Sequence, residues 1–141
     1  MDYDSVFRVV KESVKYVVGK ERAGLGLALS DLPWNLGAFW QIGGNYIVMN
    51  EGLVNSMKTI AKSELEFNSF VYMILAHEYI HSLGFIDEME ARRMTAIVAL
   101  RVFGKRSHCL HNKRRKFMVT IPRSEIFSQR VGRKYQDHSE V

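Results

Sequence analysis

Valines set the first rhythm of the chain. Val6, Val9, Val10, Val14, Val17 and Val18 recur near helical spacing with Lys11, Glu12 and Lys15 between them. That spacing predicts an amphipathic helix over residues 3–18, stopped at Gly19. From residue 24 the period shortens to the runs GLGLALSD, GAFWQI and NYIVMN, broken by a turn at DLPW and by the pair Gly43-Gly44. These predict a small antiparallel sheet, with the glycine pair as a two-residue hairpin loop whose central positions take positive φ. EGLVNSMKTIAKS then predicts a short helix and SELEFNSFVYMILAHEYIHSLG a longer one. Ser63 is suited to cap the longer helix, Glu64 and Glu66 to its first turn, and Gly84 to its end. Asp87 followed by Glu90 is a capping-box pattern, and MEARRMTAIVALRVF continues as a helix to Gly104. The last two helices are joined by a tight turn.

Past Gly104 the periodicity fades. FMVTI, residues 117–121, reads as a strand, and residues 124–141 read as loosely held. The expected organisation is one domain over residues 1–104 and a basic segment over 105–141. A chain of 141 residues with 47% apolar content has enough material for one core.

The longest apolar run, FVYMILA at 70–76, is far below the roughly 20 residues that span a bilayer, so no membrane insertion is expected. MDYDSVFRVV has acids where an export signal carries basic residues, and the single cysteine, Cys109, excludes an internal disulfide framework. The cytoplasm is the expected location. Net charge is +5 but unevenly spread: residues 104–141 hold ten Lys/Arg against three Asp/Glu, a net of +7, leaving −2 for residues 1–103.

The chemistry concentrates in AHEYIHSLGFIDEME, residues 76–90. On a helix, positions four apart share a face, so His77 and His81 can offer imidazole nitrogens to one zinc ion, while Glu78 is rotated roughly 100° from His77. A catalytic zinc keeps one position for water, and a neighbouring carboxylate takes the water's proton and passes it to the leaving amine. Glu78 suits that role. The competing explanation is a chance HEYIH, but the motif follows VYMIL on a helix that is expected to be buried. A buried His-Glu-His without a metal leaves polar groups to satisfy.

The resemblance extends beyond the motif. NLGAFWQIGGNYIVMNEGLV, residues 35–54, resembles the Asn-Ala-Phe, Gly-Gly, Ile-x-Val, Gly-Leu-Leu segment of HtpX-type and CAAX-prenyl-type membrane metallopeptidases, and VYMILAHEYIH resembles their LAAVLAHEIGH. Lacking transmembrane helices, the chain is most similar to the minigluzincins, small soluble proteins that resemble the catalytic domains of those enzymes. The match covers residues 35–104. It implies an α+β, zincin-like fold and zinc-dependent hydrolysis of peptide or protein substrates. It also implies a substrate-binding edge strand in the sheet, for which Tyr46, Ile47, Val48 and Met49 are the candidates. An extended peptide can pair with such an edge and align its carbonyl with the metal.

Four residues compete for the third ligand. Glu88 opens EMEARR, which resembles the ExEADR of the membrane enzymes, whose first Glu is the ligand; Arg92 stands here where they have Asp. Glu90 returns to the level of His81 if the two helices form a hairpin. Asp87 follows Gly84 as in the metzincin pattern HExxHxxGxxD, though it also suits a helix cap. His108 is the best placed downstream histidine. Glu88 stands first, then Glu90, Asp87 and His108.

The basic tail carries further readings. His108, Cys109 and His111 form a compact SHCLH group, which an exposed polar loop explains as well as a metal does. KRSHCLHNKRRK concentrates charge as a nucleic-acid contact does, although most such runs are solvated faces. The minigluzincin resemblance implies latency, with a C-terminal segment blocking the cleft within one molecule or exchanged between two in a homodimer. The alternative outside enzymology is a zinc-containing binding module whose tail contacts nucleic acid or another protein. Trp34, Phe39, Trp40 and Tyr46, with Met49, Met73, Met89 and Met94, read as packing.

Overall fold

The structure, a computed structural model, describes residues 2–104. Helix α1 (Tyr3–Val18) begins where the Asp2 carboxylate accepts the Ser5 N–H at 2.7 Å, and ends where Gly19, at φ 78°, returns its N–H to Lys15. Val6, Val9, Val10 and Val14 lie on one buried face, as the spacing predicts, while Val17 and Val18 in the last turn are partly buried against the core.

Three short strands follow: β1 (Gly26–Ser30), β2 (Ala38–Trp40) and β3 (Tyr46–Asn50). They form one sheet in the order β1-β3-β2, with β1 parallel and β2 antiparallel to β3. The expected all-antiparallel sheet is therefore corrected to a mixed one. The chain reverses between β1 and β2 and again between β2 and β3, so β3 runs in the direction of β1 and slots beside it. Asn50 holds the first reversal: its buried amide donates to the carbonyls of Leu32, Pro33 and Leu36 at 3.2, 3.0 and 2.9 Å.

The second reversal also departs from expectation. The hairpin loop is residues 41–45 rather than the glycine pair alone, and of the two glycines only Gly43 takes positive φ, at 82°. Gly44 instead closes a turn through its N–H to the Gln41 carbonyl at 2.7 Å, where a Cβ would meet that oxygen at 2.9 Å.

Asn50 also caps α2 (Glu51–Ile60) by accepting the Leu53 N–H. The long helix α3 (Glu64–Ser82) opens at Ser63, whose hydroxyl accepts the Glu66 N–H at 3.1 Å, and α4 (Glu88–Phe103) opens at Asp87, whose carboxylate accepts the Glu90 N–H at 2.9 Å. Both caps are those that the sequence predicts.

Helix α3 is the axis of the fold. It touches α1, α2, α4, β2 and β3, and every residue from Phe67 to Ser82 is buried. The architecture is a small α+β domain of four helices and a three-stranded mixed sheet. No helix among the described residues is long and apolar enough to cross a membrane.

Candidate metal centre

Because α3 is enclosed from Phe67 onward, whatever polar groups that stretch carries are buried with it. His77, Glu78 and His81 occupy its last two turns, each no more than 4% exposed. The helix stops at Ser82, and the Gly84 N–H returns to the His81 carbonyl at 3.0 Å. This tight exit brings the first turn of α4 back over the two histidines.

The residue that arrives there is Glu88. Its Oε1 lies 2.7 Å from His77 Nε2 and 3.0 Å from His81 Nε2, and the two Nε2 atoms are 3.2 Å apart. His81 Nδ1 donates to the Phe85 carbonyl at 2.7 Å, which directs the lone pair of its neutral form to Nε2.

Two imidazole nitrogens and a carboxylate oxygen thus face one another across a small triangle. Donors about 2.0–2.1 Å from a tetrahedral zinc lie about 3.3 Å from each other, so the triangle is slightly contracted but of the right size. The set of two histidines and one glutamate is also one that hydrolytic zinc sites use, leaving a coordination position open. The donors fit the metal in both number and chemistry.

The ionisable groups respond to the same crowding. Burial opposes charge on Glu88, but the hydrogen bonds and positive charge of His77 and His81 outweigh it and bring its pKa down to about 2. Burial likewise opposes charge on His81; the Glu88 hydrogen bond, the charges of Glu78 and Glu88 and the Phe85 carbonyl overcome it and raise the pKa. Burial pushes the Glu78 carboxyl up, against the pull of the two histidines.

Glu78 lies beside this cluster. The backbone N–H of Trp40 donates to its carboxylate, while its Oε2 is buried with no hydrogen-bond partner. Arg92, one turn beyond Glu88, places Nη2 3.6 Å from Glu88 Oε2, a contact that leaves Oε1 for the histidines. Arg92 thus braces the carboxylate.

The other sequence candidates fall elsewhere. Asp87 and Glu90 are exposed, and Asp87 is engaged as the α4 cap. His108, Cys109, His111 and the whole segment 105–141 lie outside the described residues. Tyr46 to Met49 form no edge: β3 is the central strand, paired on both sides, so its backbone groups are already spent on β1 and β2. The strand next to Glu78 is β2. Of the residues read as packing, Trp40, Met49 and Met73 are buried, whereas Trp34, Tyr46 and Met89 are exposed.

Several contributors gave no signal in the sequence. The Trp40 N–H and the Phe85 carbonyl act through the backbone, which any residue type supplies, and the contact of Arg92 with Glu88 depends on the i, i+4 face of α4 turning inward. No family model matches this sequence, and no curated protein or solved structure matches it.

Proposed function

We propose that this chain is a zinc-dependent metallopeptidase of the zincin type, resembling the minigluzincins, with His77, His81 and Glu88 holding the metal and Glu78 serving as general base and acid. The observation that carries this reading is the convergence of His77 Nε2, His81 Nε2 and Glu88 Oε1 within 3.2 Å of one another, beside a buried carboxylate with one oxygen to spare.

Zinc, when bound there, supplies a Lewis acid that polarises the scissile carbonyl and acidifies the attacking water. The chain's own residues do the rest. Glu78 takes the proton from that water and delivers it to the leaving amine. Its raised pKa favours holding the proton between the two steps. Trp40 holds one side of the Glu78 carboxylate through its backbone N–H, so the free oxygen is the one that works. Phe85 orients the His81 ring, and Arg92 orients Glu88. An extended peptide would add to β2, whose far side pairs with no strand among the described residues.

The test measures zinc content and casein hydrolysis for the full chain, for a chain ending at residue 111, and for Glu78→Ala in each. The second chain covers the latency that the resemblance implies. About one zinc per chain, with hydrolysis that vanishes in Glu78→Ala, is the expected result. A chain that takes up no zinc would overturn the proposal.

A further inference from the structure

Arg22 lies in the loop between α1 and β1, remote in sequence from the histidines, and its half-buried guanidinium joins three parts of the molecule. Nη1 donates to the Ser82 carbonyl and Nη2 to the Gly44 carbonyl, each at 3.0 Å. The guanidinium carbon sits 5.2 Å from the centre of the Trp40 ring. Its backbone N–H donates to the Tyr79 hydroxyl at 3.0 Å, so the central residue of HEYIH anchors the same arginine.

Followed outward, these contacts close into a ring. Ser82 ends α3, one residue beyond His81. Gly44 lies in the hairpin loop, and its carbonyl also accepts the Trp40 indole N–H at 2.9 Å. Trp40 ends β2, and its backbone N–H donates to Glu78, back on α3. Helix and hairpin are therefore linked at two points, one through Glu78 and the other through Arg22.

The chemistry of the second link calls for a guanidinium. The last carbonyls of a helix are unpaired within it and carry partial negative charge, which favours a cation. A forked, planar donor can reach two carbonyls in different elements and still stack on an indole, whereas a lysine ammonium is a point charge on a flexible stem.

We propose that Arg22 is a positioning residue of the hydrolytic site: it clamps the β2–β3 hairpin to the end of α3, and so keeps the Trp40 N–H on Glu78 and fixes where the free oxygen of Glu78 points. The role rests on the reading of Glu78 as the general base. Arg22 makes no hydrogen bond to His77, His81 or Glu88, so its loss leaves the metal donors in place. A misplacement of about 1 Å in a reacting group can cost about a hundredfold in rate, which is the scale of effect a lost clamp produces.

The test uses the full chain with Arg22→Ala and Arg22→Lys, the second serving if the first fails to fold. Three quantities are read: hydrogen exchange of the Trp40 backbone and indole N–H, zinc per chain, and kcat and KM for a peptide. Arg22→Ala is expected to exchange the Trp40 N–H groups at least about tenfold faster and to keep its zinc. Its kcat should fall about 10- to 100-fold with KM within about twofold. Millimolar guanidinium should restore part of both losses, and Arg22→Lys should change in the same direction by less. Unchanged Trp40 exchange in both variants overturns the clamp, and faster exchange with unchanged kcat overturns its role in hydrolysis. An unsubstituted chain that hydrolyses nothing either at full length or when it ends at residue 111 overturns the hydrolytic reading itself. The exchange measurement, which needs no turnover, separates that failure from the first.

Discussion

Helix α1 and the last two turns of α3 both pack into the core, yet they treat polar groups differently. Helix α1 buries one face, and its one buried polar side chain, Ser13, returns its hydroxyl to the Val9 carbonyl at 2.6 Å. Nothing is left over for a ligand. Helix α3 has no outward face from Phe67 onward, so His77, Glu78 and His81 are enclosed, the two histidines with their Nε2 atoms directed at each other and at Glu88, and Glu78 with one oxygen unmet. Burying such groups costs free energy unless something completes them. On α1, burial leaves no polar side chain unmet; at the end of α3 it gathers His77, His81 and Glu88 into a group that could hold a metal ion.

The sharpest way to expose that difference is Glu78→Gln. Hydrolysis should fall about 10²- to 10⁴-fold, measured as kcat/KM, while the fold holds or gains stability. The gain follows from sign: burial raises the folded pKa of Glu78 above 4.5, so its ionisation costs stability as pH rises, and an amide removes that cost. A Glu78→Gln protein that melts well below the parent when metal-free would break the comparison.

Next is Glu88→Gln, expected to weaken zinc by at least about 10²-fold in a chelator competition while far-ultraviolet circular dichroism stays unchanged. Val10→Ala on α1 should do the reverse, lowering unfolding free energy by about 2 kcal/mol in urea titration with zinc stoichiometry unaltered. Loss of zinc from Val10→Ala at temperatures where it is folded would show the two regions to be coupled.

A smaller effect is in pH. The Glu88 pKa is depressed to about 2, so its contribution to stability is complete above 4.5 and fades as pH falls towards 2. His81 is shifted upward, so its contribution is complete below 6.5 and fades as pH rises through its folded pKa. The metal-free chain should gain most from this pair between pH 4.5 and 6.5 in thermal melts, and Glu88→Gln should flatten both limbs. The smallest effect belongs to Glu90→Gln: an exposed side chain two residues from Glu88 should change stability by no more than about 0.5 kcal/mol and leave zinc affinity alone.

Much of this was legible in the chain. The starts of α3 and α4 follow from Ser63 and Asp87, because such a cap is a bond between a side chain and a backbone N–H three residues away, and the end of α1 follows from Gly19, which takes the left-handed conformation. That His77 and His81 share a face follows from helical period alone. The sheet was read less well. A hairpin was expected and exists, but its five-residue loop, the central place of β3 and the parallel pairing with β1 depend on how the segment 31–37 reverses under the buried Asn50 amide.

Sequence by itself determined the helices, their caps and the presence of a His-Glu-His surface on α3, since each is set by contacts within a few residues. Only the tertiary structure decided which carboxylate meets the histidines, that the Trp40 N–H meets Glu78, that Arg22 joins the hairpin loop to the end of α3, and that β3 is the central strand while β2 is an edge among the described residues. Asp87, Glu88 and Glu90 are near neighbours with the same chemistry, and the angle at which α4 leaves the Gly84 turn selects among them. That angle is fixed by packing between residues far apart along the chain, which local spacing does not encode.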